Sequence, residues 1–96
     1  METFGKKVDL FNLGLVPPPV PDGIVTMNPY EDPHTRKYSK LFLDRYFSDQ
    51  RKRIFIFGIN PGRFGAGLTG ITFTDPVALS NYCNIPNHFP ARREAS

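Results

Sequence analysis

Three observations in this sequence predict an α/β fold built around one central parallel strand at residues 54–57. The first is Ile54-Phe55-Ile56-Phe57, a run of large apolar residues, β-branched alternating with aromatic, that requires cover on both faces. The second is the glycine-rich stretch Gly58–Phe73 directly behind it, where α/β folds set their chemistry, just beyond a strand's carboxyl end. The third is a pair of helix starts, Asp32-Pro33 and Asp75-Pro76, that flank the strand and supply helices above and below it.

Along the chain, Phe4, Val8, Leu10, Phe11 and Leu15 form a helical stripe that predicts a short helix over residues 3–15, ended by Gly14. Val16-Pro17-Pro18-Pro19-Val20-Pro21 must be extended, because proline fixes φ and biases the residue before it. It reads as a connector ending in an Asp22-Gly23 turn, with a proline-rich ligand for a recognition domain as the other reading. Ile24-Val25 reads as a short edge strand, and the Asn28-Pro29 and Asp32-Pro33 steps predict consecutive turns.

Asp32 then caps a helix from Pro33 to about Phe47, with Tyr38, Leu41, Phe42 and Tyr46 on its apolar face and His34 as an exposed polar residue of its first turn. Asp49–Arg53 is a polar turn whose basic run reads as a solvated link or a phosphate contact. Beyond the loop, Pro76 to about Tyr82 is a short helix, with Tyr82 and Cys83 as packing residues. The tail from Ile85 has no periodicity and no closing element.

Composition narrows the function classes. Ninety-six residues make one domain or part of one, and at that size only about two-thirds of the unfolded surface can be buried. Nine Phe and four Tyr argue for a globular chain, and ten prolines cut it into short elements. Twelve basic against nine acidic residues give a net charge of +3, which suits an anionic partner. The lone Cys83 cannot form an intramolecular disulfide, and no Cys/His spacing suits a metal, which favours a cytoplasmic setting. No signal peptide or apolar span is present, so no membrane partner is expected. One strand without sheet neighbours leads us to expect a single partial domain over residues 1–96, a piece of a longer chain, or an oligomer.

The loop itself excludes the familiar phosphate cradles. Its glycines stand at 58, 62, 65, 67 and 70 with no lysine, which fits neither the P-loop nor the dinucleotide fingerprint. Its distinctive feature is Asn60 set between a strand-end Gly58 and Pro61, with Phe73 downstream. Gly58-Ile59-Asn60-Pro61-Gly62 resembles the first active-site motif of the uracil-DNA glycosylase superfamily. The continuation through Phe64-Gly65, Thr69-Gly70-Ile71 and Phe73 is similar to the single-strand-selective monofunctional branch, and the resemblance covers about residues 15–80.

That resemblance implies a three-layer α/β/α fold, a base-excision repair enzyme that flips uracil or a related base, DNA containing such a base as partner, a monomeric state, and neither metal nor organic cofactor. It implies that Asn60 is catalytic, holding the water that attacks the sugar C1′. Gly58, Ile59, Pro61, Gly62, Phe64 and Phe73 are the implied base-binding residues, Phe73 by stacking. Arg63 and Thr69 are candidate DNA-phosphate contacts, with Thr69 and Gly70 also shaping the loop. The family's second motif, a His-Pro-Ser-Pro-type loop, has no counterpart here, and His88 reads as a loop residue. A non-catalytic nucleic-acid or nucleotide-binding module that keeps only the pocket loop is therefore the alternative, and the 96 residues alone are expected to be inactive.

Overall fold

Each of the longer helices begins where a short polar side chain takes up a free amide hydrogen. In the computed structural model, which describes residues 2–58 and 61–90, Thr3 Oγ1 accepts from Lys6 N at 3.2 Å and opens α1, Phe4–Leu13. Gly14 ends that helix, its N–H donating to Leu10 O and Phe11 O. Asn28 accepts from Tyr30 N at the start of a single 3-10 turn, Pro29–Glu31. Asp32 then accepts from His34 N at 2.8 Å, and with Pro33 at the first helical position it opens α2, Pro33–Tyr46. A one-turn helix α3, Ala66–Thr69, lies inside the glycine-rich loop. Asp75 accepts from Ala78 N at 2.7 Å to begin α4, Pro76–Asn81.

The helix starts read from Asp32-Pro33 and Asp75-Pro76 are therefore those observed. The α/β fold is not. Among the described residues no strand forms, and the architecture is a small helical one. Ile54, Phe55, Ile56 and Phe57 have no regular secondary structure and are 94%, 65%, 92% and 90% exposed, so the apolar run expected between two helical layers is bare. Ile24 and Val25, read as an edge strand, are exposed and unpaired with any ladder as well. The reason is that an apolar run gives the propensity for a strand, whereas a strand exists only with neighbours to complete its hydrogen-bond ladder, and none of the described segments lies alongside.

The core sits beneath α2. Tyr38, Ile71, Leu79 and Ile85 form its buried cluster, with Phe42, Cys83 and Phe89 packed against it. Leu79 and Ile85 are fully buried, each worth roughly 1.5–3 kcal/mol relative to exposure. The buried face of α2 is Thr35, Tyr38, Ser39 and Leu43, whereas Leu41 and Tyr46, assigned to the apolar face, are exposed. Leu10, Phe11 and Leu15 are likewise exposed, and α1 buries Gly5.

The tail does close the structure. Ile85 N donates to Leu79 O at 3.0 Å, Asn87 Nδ2 to Pro76 O at 3.1 Å, and the Arg45 guanidinium to the Cys83 carbonyl. Tyr38 Oη lies 2.9 Å from His88 Nδ1 and its ring meets Phe89 edge-on. A second aromatic group gathers Phe47 and Phe55 around Phe4, with the Arg53 guanidinium over the Phe4 and Phe47 rings. Among the described residues no helix is long and apolar enough to cross a membrane.

Candidate functional site

The glycine-rich loop is held from the inside by its own backbone and from the outside by two hydroxyls. Gly62 O accepts from Gly65 N at 3.1 Å and from Gly67 N at 2.8 Å, which turns the chain into α3. At the far end of α3, Gly70 adopts a left-handed φ of 70° and donates to Ala66 O at 2.8 Å. Space matters there as much as handedness. A Cβ at Gly70 would stand 2.7 Å from Tyr30 Cε1 and 3.0 Å from Thr35 Cγ2.

Those two neighbours also grip the loop's carbonyls. Tyr30 Oη donates to Gly70 O at 2.5 Å, and Thr35 Oγ1, on α2, donates to Leu68 O at 2.6 Å. Burial pushes the Tyr30 phenol above its ordinary pKa, so it stays protonated and able to donate.

Past Gly70 the chain folds around the hydroxyl of Thr69, which is fully buried. Thr69 Oγ1 accepts from Ile71 N at 3.1 Å and donates to Thr74 O at 2.7 Å. Thr74 N donates to Ile71 O at 3.1 Å, closing a β-turn whose third residue is Phe73. That position has φ of 55° while Thr72 keeps negative φ, the pattern of a type II turn, which ordinarily takes glycine or asparagine there. A phenylalanine so placed costs roughly 1–3 kcal/mol, yet its ring is 76% exposed and recovers little by burial. The local geometry thus holds an aromatic face in solvent at an energetic cost.

Of the other sequence-predicted site residues, Pro61, Gly62 and Phe64 are half-buried and Gly58 is exposed. Arg63 is exposed with its guanidinium 4.9 Å from the Phe64 ring centroid. Thr69, a candidate phosphate contact, faces the inside of the loop. Asn60 and Ile59 lie outside the described residues. His88 is turned to Tyr38 and to the ring of His34, 4.5 Å away. Among the described residues no group of three or more His, Cys, Asp or Glu is arranged to hold a metal ion. A cleft of about 380 Å³ opens beside the loop between Asn28, Glu31, Thr35 and Leu68, and it contains none of the predicted base-binding residues. Tyr30 and Thr35 escaped the sequence reading because their partners lie 40 and 33 residues away and no local spacing marks them.

Comparison with known proteins agrees with the motif. The wild-type SMUG2 of Pedobacter heparinus, known from a crystal structure, is 44% identical to this chain over 98% of its length, with a TM-score of 0.88. Over nearly its whole length this chain is therefore similar to a member of the uracil-DNA glycosylase superfamily. The likeness is to the single-strand-selective branch, the one that the Gly58–Phe73 run also resembles. It spans 42% of the length of the Pedobacter heparinus glycosylase-superfamily chain. Neither protein-family models nor curated proteins gave a match.

Proposed function

We propose that this chain contributes the first-motif half of a DNA repair glycosylase that removes uracil, or a closely related base, from DNA. The observation that carries the reading is the 44% identity to SMUG2 across 98% of the chain. In the proposed reaction a water oxygen held by Asn60 forms a bond to the sugar C1′ as the C1′–N1 bond breaks. The bonding pair leaves with the base, the proton given up by the water neutralises the base anion by way of solvent, and the products are free uracil and an abasic site.

Such a bond breaks through a cation-like sugar and an anionic leaving base, so the enzyme needs orientation and electrostatic support more than a strong base. A neutral carboxamide such as Asn60 orients water without adding charge. Phe73 supplies a stacking face for the extruded base, and its exposure on a strained turn supports that role. Gly58, Pro61, Gly62 and Phe64 line the base's edge, Arg63 meets a backbone phosphate, and Thr69 acts by shaping the turn.

The test is excision from a single-stranded oligonucleotide carrying one uracil, read as alkali-labile breaks with the intact protein. Breaks above background that disappear in Asn60→Ala support the reading. Asn60→Ala as active as wild type, or no breaks at all, overturns it; uracil-dependent binding without breaks points to the non-catalytic module.

A further inference from the structure

We propose that Tyr30 and Thr35 are positioning residues for the base-stacking turn: their hydroxyls hold the Leu68 and Gly70 carbonyls and so fix where Phe73 stands. The inference rests on the base-excision reading of the same loop. Both contacts are short, 2.5 Å to Gly70 O and 2.6 Å to Leu68 O, and both come from outside the loop, from the 3-10 turn and from α2. Gly70 is the hinge between α3 and the turn of Phe73. It cannot carry a side chain against the Tyr30 ring, so ring, hydroxyl and glycine specify one geometry together.

The arrangement also has a reason to exist. Phe73 occupies a left-handed position that it would leave if the chain on either side were free. The turn itself is tied by Thr69 to Thr74 and by Ile71 to the core; on the other side of Gly70, the α3 end and the two hydroxyls anchor the chain to the rest of the protein. Removing them releases the turn toward a conformation in which the ring no longer waits for a base, which weakens capture of the extruded nucleotide more than the bond-breaking step.

The experiment compares Tyr30→Phe, Thr35→Val and the conservative Thr35→Ser in the intact protein. Amide hydrogen exchange over residues 70–74 is read alongside steady-state excision from the uracil oligonucleotide. The expected result is faster exchange in that segment and a KM raised about fivefold to tenfold in Tyr30→Phe and Thr35→Val, with kcat changed less. Thr35→Ser restores both, and affinity for the same oligonucleotide carrying thymine stays at the wild-type value. Unchanged exchange and KM overturn the proposal, as does an equal loss of affinity for uracil and thymine strands, which marks general destabilisation. A wild-type protein with no preference for uracil sinks the function reading, and exchange over residues 70–74 still decides whether the two hydroxyls hold the turn.

Discussion

Thr69 Oγ1 lies 2.7 Å from the carbonyl oxygen of Thr74, and this contact closes the turn on which Phe73 is raised into solvent. The same six residues thus contain a buried polar knot and an exposed strained aromatic. Stability and proposed function should respond to them in opposite ways.

Phe73→Asn separates the two. Asparagine tolerates left-handed φ and loses little by replacing a ring that is 76% exposed. Chemical denaturation should therefore give unchanged stability or a gain of up to about 1 kcal/mol. Preference for a uracil strand should fall by about tenfold or more with loss of the stacking face. A stability loss as large as a core truncation would mean that the ring packs in a way its exposure does not suggest.

Thr69→Val should do the reverse. Valine matches threonine in shape but leaves Ile71 N–H and Thr74 C=O without their partner at a position where Thr69 is fully buried, Ile71 buried and Thr74 half-buried. The expected loss is about 1–3 kcal/mol, read as a lower urea midpoint, with Thr69→Ser close to wild type. Equal midpoints for the valine and wild-type proteins would show that water replaces the hydroxyl.

Gly5→Ala sets two effects of known size against each other. Alanine favours a helix interior over glycine by about 1 kcal/mol. A Cβ here, however, would meet Leu43 O at 2.7 Å and Phe47 O at 3.0 Å, both backbone atoms that cannot rotate away. Gly5 N also donates to Phe47 O at 2.8 Å, so α1 cannot shift without losing that bond. Overpacking of about 1–3 kcal/mol should win, and a lower melting temperature than wild type is the expected reading.

What the sequence made legible were features settled within a few residues. Asp32 and Asp75, each followed by proline, cap α2 and α4 as their spacing required, because a cap needs only its own first turn. The Gly58–Phe73 run was recognisable as a motif for the same reason. Ile54–Phe57 misled because hydrophobicity is local while a strand ladder is not. Thr35 and Ser39 are buried on α2 while Leu41 is exposed, since the face is chosen by what packs against it, here in part the Leu68–Gly70 carbonyls that Thr35 and Tyr30 bind. Ile85 and Phe89 entered the core from a tail whose prolines, Pro86 and Pro90, erase any periodic signal.

Acid should expose one electrostatic contact in particular. The Arg53 guanidinium forks the Asp49 carboxylate at 2.8 and 2.9 Å while lying over the rings of Phe4 and Phe47. That fork, and next the Arg51 N–H, lowers the Asp49 pKa from 3.8 to about 2. A carboxyl whose folded pKa is depressed adds stability above its unfolded value, and that stability is lost as pH falls from there through the folded value. The difference in urea midpoint between wild type and Asp49→Asn should therefore be constant from about pH 8 to about pH 5, and should shrink as pH falls from about 4 toward 2. Taking the difference cancels the other carboxylates that titrate in the same range. Arg53→Lys should retain only part of it, because an ammonium can neither fork the carboxylate nor stack as a plane on Phe4. A midpoint difference that does not vary with pH would mean that the contact acts through packing of the Arg53 stem on the two rings rather than through the charge of Asp49.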